Sequence, residues 1–101
     1  MTNTLKTIPP DATRLIQACF GYDLMFGDNA ELFIESLWKT TDGTYLIDCG
    51  HIVLEPETFG LIEWFNAVLN LPRHYYACHP SVDMLQLKEE FIDSRLPQLL
   101  E

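Results

Sequence analysis

Positive charge is what this chain has least of. Lysine and arginine together number 6 against 15 aspartates and glutamates, so 101 residues carry a formal net charge of −9. A surface with that balance repels a phosphate backbone, and direct binding to DNA or RNA is not expected. Long apolar runs are also missing. No stretch approaches the roughly 18 consecutive apolar residues of a membrane span. The amino terminus, Met1 to Ile8, has no apolar run after its lysine, so a signal peptide is not expected either. Cysteine is sparse and odd in number, three in all. Without a secretory signal that pattern indicates free thiols in a reducing compartment, the cytoplasm, rather than a disulfide framework. Glycine and proline, 5 and 6 residues, are too few for a low-complexity chain. There is no repeat or linker.

What the chain does have is apolar material, 48% hydrophobic residues with 12% aromatic. That is far from the composition of disordered chains. The length suits one domain over 1–101, residues 1–8 being read as a flexible tail.

Pro9-Pro10-Asp11 resembles a helix start, and Leu15, Ile16, Cys19 and Phe20 follow at helical spacing up to Gly21, which predicts a first helix over 10–19. Tyr22 to Phe26 reads as a strand ending in the turn Gly27-Asp28-Asn29. The strongest local signal is Asp42-Gly43 between two runs rich in β-branched and aromatic residues, 31–40 and 44–54, which predicts a β-hairpin. With Asp42 and Gly43 as a two-residue loop, Thr40 pairs with Tyr45, Trp38 with Ile47, Ser36 with Cys49, Ile34 with His51 and Leu32 with Val53, and these form the core face.

Pro56, flanked by Glu55 and Glu57, opens a helix whose Leu61, Ile62, Phe65, Val68 and Leu69 share one arc, with Trp64 at its edge. This helix ends near Asn70, before Pro72. Residues 73–78 read as a short extended segment able to add a fourth strand. Pro80-Ser81 caps a last helix over 81–95, stopped by Pro97. The predicted fold is α+β, an antiparallel three- or four-stranded β-meander with helices on one face, in the order α-β-β-β-α-(β)-α. Over residues 10–70 this helix–three strands–helix order resembles the topology of the double-stranded-RNA-binding domain. That family grips phosphates with a lysine-rich helix start. Here the matching turn is Glu55-Pro56-Glu57-Thr58, so RNA binding does not carry over.

Five of the six Cys and His residues fall in two clusters, Cys49-Gly50-His51 and His74 to His79. On neighbouring strands Cys49, His51, His74 and Cys78 could converge as a zinc site, although knuckle spacing is absent and buried thiols with hydrogen-bonded imidazoles would explain the same residues. Residues i and i+2 on a strand lie about 7 Å apart along the backbone, which makes Cys49 and His51 a poor catalytic dyad. No serine elbow, phosphate-cradling glycine loop or HExxH is present, and Asp48 with Glu35 reads as a solvated carboxylate pair. An enzyme is not expected.

The last helix divides its apolar residues into two stripes, Met84-Leu87-Phe91 and Leu85-Ile92-Leu96, with an acidic face of Asp83, Glu89, Glu90 and Asp93. One stripe can cover the sheet. The other, with Leu99 and the off-arc Phe59, is either wedged inside the fold or offered to a partner. The partner-binding set is therefore Phe59, Leu85, Glu89, Glu90, Ile92, Asp93, Leu96 and Leu99. The chain is expected to be an interaction module, a small acidic adaptor, regulator or inhibitor of another protein, one with a basic surface or a second copy of this chain. Two alternatives stand beside it. One is a structural zinc domain. The other is an acidic mimic of nucleic-acid charge, of the kind used by small phage-encoded counter-defence inhibitors.

Overall fold

The computed structural model describes residues 3–5, 7–21 and 32–100, with side chains placed at 7–20, 33–57 and 59–93. The chain runs β1 (Asn3–Leu5), β2 (Thr13–Gly21), β3 (Leu32–Lys39), β4 (Tyr45–Asp48), β5 (Val53–Glu55), α1 (Thr58–Leu69), a single 3₁₀ turn (Arg73–Tyr75), β6 (Tyr76–Cys78) and α2 (Met84–Leu100). The strands form one sheet in the order β1-β5-β4-β3-β2-β6, antiparallel at every pairing. This is an α+β fold with both helices on one face. The meander from β2 to β5 is extended by one short strand at each edge, giving six strands instead of three or four.

The largest departure from expectation is at the start. Residues 13–21 are a strand, not a helix, and Pro9-Pro10-Asp11 belongs to a turn closed by the Ala12 N–H on the Pro9 carbonyl at 3.1 Å. The pairing of β2 with β3 shifts register between Arg14 and Ile16. At this irregularity both Leu15 and Ile16 enter the core cluster, after which Ile16, Ala18 and Phe20 alternate along the helix-covered face. With the first helix gone, the likeness to the RNA-binding domain goes too. Part of the expected tail, Asn3–Leu5, is the edge strand beside β5. The strand and turn read at 22–29 lie outside the described residues.

The hairpin at Asp42-Gly43 forms, in a different register. Lys39 pairs with Tyr45, Trp38 with Leu46, Leu37 with Ile47 and Ser36 with Asp48. The loop has three residues, because the Gly43 N–H bonds the Thr40 carbonyl at 3.0 Å while Gly43 takes φ +91°. Thr40 and Asp42 hold it: the Thr44 N–H donates to Thr40 Oγ1 at 3.0 Å and to Asp42 Oδ1 at 3.2 Å, and the Thr40 hydroxyl donates to Asp42 Oδ1. These bonds lower the Asp42 pKa. One extra loop residue flips β3, so Leu37 faces the helices while Ile34, Ser36 and Trp38 face away.

The run 44–54 is two strands. The Cys49 N–H bonds the Ile52 carbonyl at 2.9 Å, and Gly50, at φ +92°, opens a two-residue loop with His51.

Ile16, Ala18, Leu37 and Ile47 from the sheet meet Leu61, Trp64, Phe65 and Val68 from α1 and Met84 and Phe91 from α2 in one buried cluster. Trp64 lies deeper than its place at the edge of the arc implied, and its Nε1 is buried with no acceptor among the described residues. α2 begins later than expected. Asp83 is its cap, accepting the Gln86 N–H on Oδ1 at 3.1 Å, in place of Ser81. The helix continues through Pro97 to Leu100, although Pro97 has no N–H to give the Asp93 carbonyl.

Candidate interaction surfaces

The two helices lie side by side on the sheet and are bridged by Lys88 Nζ donating to Asn66 Oδ1. Along α2 the stripe Met84-Leu87-Phe91 turns inward, Met84 and Phe91 being buried. Leu85 projects outward at 53% exposure, and on α1 Phe59 does so at 52%. Ile92 is half-buried, while Glu63, Glu89, Glu90 and Asp93 are exposed. The side chains of Leu96 and Leu99 lie outside the described residues. The outer surface of the helix layer thus combines large apolar side chains with carboxylates.

A cleft of about 500 Å³ extends this surface between the end of α1, β6 and the start of α2, lined by Leu69, Arg73, Tyr76, Cys78, Ser81 and Leu85 among others. The Arg73 guanidinium lies over the Tyr76 ring at 5.5 Å from its centroid. Burial raises the Cys78 pKa, opposed by Arg73 and assisted by Asp83. A protonated thiol is a weak nucleophile and a poor metal ligand.

The Cys and His residues do not come together as the zinc reading required. Cys49 leaves β4 and Cys78 ends β6, with β3 and β2 between them. That is three strand spacings, on the order of 14 Å. His51 is exposed in the β4–β5 loop, and His74 is exposed with its ring against Tyr75, centroids 4.3 Å apart. Among the described residues no group of three or more His, Cys, Asp or Glu could hold a metal ion. The physical reason is the loop at Gly50, which ends the strand that was to align Cys49 with His51.

Cys49 has a different partner. Its thiol donates to Glu35 Oε2 at 3.2 Å, and burial, this bond and the charges of Glu35 and Asp48 push its pKa up to about 12. Glu35 and Asp48 are not a pair, because the register puts them on opposite faces. Asp48 Oδ1 instead accepts the Gly50 N–H at 2.9 Å. His79 sits in the turn before α2, where Nδ1 accepts the Ser81 N–H at 3.2 Å and lies 2.7 Å from Ser81 Oγ. These bonds link residues two apart and serve the turn.

The other face of the sheet is covered by neither helix. Alternation places Gln17, Cys19, Ile34, Ser36, Trp38, Leu46, Asp48 and Ala77 there. Thr7, Pro9 and Leu46 border one cleft at the end of this face, and Leu46 is buried. The other end is open, with Ile34 at 52% exposure. This surface was missed in the sequence, because the two-residue loop reading turned Ile34 and Trp38 inward.

No described helix is long and apolar enough to cross a membrane. Comparison of the chain with protein-family models, curated proteins and solved structures finds no match in any of the three.

Proposed function

We propose that this protein is a non-enzymatic interaction module, a small acidic adaptor, regulator or inhibitor that docks a basic partner surface on its helix layer. The observation that carries this reading is the exposure of Phe59 and Leu85, each more than half accessible, on the layer that also presents Glu63, Glu89, Glu90 and Asp93. Large aromatic and aliphatic side chains cost free energy when left in water, and a partner that covers them recovers it. The surrounding carboxylates select a basic partner and speed its approach.

A smaller cleft of about 280 Å³ near the start of α1 fits the same partner chemistry. Asp42, Glu55 and Glu57 border it, with Tyr45 and Phe91 on its wall. Carboxylates beside aromatic rings suit a lysine or arginine side chain. The cytoplasm is the compartment we assign, consistent with three cysteines that are all free.

The test is binding of a purified basic partner, isolated with the wild-type chain, to variants of the helix layer. Phe59→Asp with Leu85→Asp should weaken the complex at least about tenfold, the loss of roughly 1.4 kcal/mol. Glu89→Lys with Glu90→Lys and Asp93→Lys should slow association and abolish its salt dependence. A complex indifferent to both sets would remove the helix layer from consideration.

A further inference from the structure

The cleft between the end of α1, β6 and the start of α2, about 500 Å³ in volume, falls within the roughly 300–1,000 Å³ of small-molecule sites. Leu69, Tyr76, Val82 and Met84 line it, and each either belongs to the buried cluster or packs against it. The cleft thus opens onto the edge of the hydrophobic core.

Two opposite charges stand on the same lining. Arg73 lies in the turn before β6 with its guanidinium over the Tyr76 ring, and Asp83 caps α2 through Oδ1. Neither forms an ion pair among the described residues, with the other or with a third group. They are nonetheless neighbours. Beyond burial, which raises it, the Cys78 pKa is lowered by Arg73 and raised by Asp83, so both charges reach the same thiol. The Tyr76 ring holds the guanidinium by one face, which leaves its N–H edge for an acceptor. The cap takes one oxygen of Asp83, and a carboxylate has a second to offer.

We propose that this cleft binds a free α-amino acid with an apolar side chain. The carboxylate of the ligand pairs with Arg73, its ammonium group with Asp83, and its side chain packs on Leu69, Val82 and Met84. One charge of each sign beside an apolar wall is complementary to a zwitterion, whereas a simple acid would meet Asp83 and a simple amine would meet Arg73. A residue within a peptide has lost both charges. This site is independent of partner docking on the helix layer, and its test needs no partner.

The experiment is titration of the full chain with L-leucine, isocaproate and isoamylamine, followed by amide chemical shifts in NMR spectra. Isocaproate lacks the ammonium group and isoamylamine the carboxylate. We expect leucine to shift the amides of Leu69, Arg73, Tyr76 and Val82, and to bind at least about tenfold more tightly than either analogue. Arg73→Gln should remove the advantage of leucine over isoamylamine. Asp83→Asn keeps a capping side chain and should remove the advantage over isocaproate. Both variants should retain the far-UV circular dichroism of the parent, and the comparison of the three ligands on the parent chain stands without them. Leucine that causes no shift at about 10 mM, where a complex with a dissociation constant of roughly 1 mM is mostly formed, overturns the proposal. So do shifts confined to other parts of the chain. Isocaproate or isoamylamine binding as tightly as leucine would overturn the recognition of a zwitterion.

Discussion

The Cys49 thiol donates a hydrogen bond of 3.2 Å to the Glu35 carboxylate on the helix-covered side of the sheet. Partial burial penalises the thiolate, and the hydrogen bond to a negatively charged acceptor acts in the same direction, which is why the Cys49 pKa is pushed up to about 12. At pH 8.5 Cys49 should therefore react with iodoacetamide far more slowly in the folded chain than in urea. Glu35→Gln removes the charge and should speed the folded-state reaction, with the modified residue identified by mass spectrometry.

The same shift sets an alkaline limit. Because the folded pKa lies above the ordinary thiol value of 9.0, the unfolded chain releases its proton first, and stability falls as pH rises between about 9 and about 12. Urea melts at pH 7, 9 and 10.5 should show little change over the first step and a loss over the second. Cys49→Ser should lose less over that second step than the parent does. An equal loss in both would assign the alkaline limit to other groups.

Gly43 and Gly50 occupy the left-handed region, at φ +91° and +92°, with nothing within 4 Å of where a Cβ would stand. The cost of a side chain there is conformational and not steric. Gly50→Ala should lower stability by about 1–2 kcal/mol, and Gly50→Asn by less, since asparagine tolerates positive φ. If both substitutions were neutral in urea melts, the β4–β5 loop would have a different backbone.

Phe65 and Phe59 are the same residue type six positions apart on one helix, one fully buried and the other 52% exposed. Phe65→Ala should cost about 3–5 kcal/mol. Phe59→Ala should leave the thermal midpoint nearly unchanged while weakening partner binding. A large loss of stability with Phe59→Ala would mean that the side chain serves the fold.

Asp83 caps α2 through its bond to the Gln86 N–H. Asp83→Ala should destabilise by about 1 kcal/mol. Ser81→Ala, which touches only the preceding turn, should cost less. The reverse order would return the cap to Ser81.

The helices were readable from the sequence because their signals are local. Leu61, Phe65 and Val68 repeat at helical spacing, and Met84 with Phe91 does the same, so the buried stripes could be drawn without knowing what they pack on. The strands were harder, since their facing depends on loop details that side chains decide. Thr40 and Asp42 stabilise a three-residue loop where Asp42-Gly43 suggested two, and that one residue reversed the faces of β3. The failure at β2 has a similar origin. Leu15 and Ile16 are adjacent and both buried because of an irregularity in the strand, and Cys19 next to Phe20 completes a spacing that imitates a helix. Ala18, the truly alternating core residue between Ile16 and Phe20, is too small to announce itself. The zinc grouping failed at Gly50, a glycine whose positive φ could not be known from an apolar run that continues on both sides of it. The exposure of Leu85, at 53%, was not decided by the sequence, because two apolar stripes on one helix suit a helix wedged inside the fold as well as one with an outward side.

The edge strands β1 and β6 have three residues each, Asn3–Leu5 and Tyr76–Cys78. A lateral neighbour would find only a few backbone groups to pair with, too few to seed an added strand. Growth of the sheet sideways into fibrils is thereby disfavoured. The short edges thus guard the sheet by their length alone, with no charged residue needed on them to turn a neighbour away.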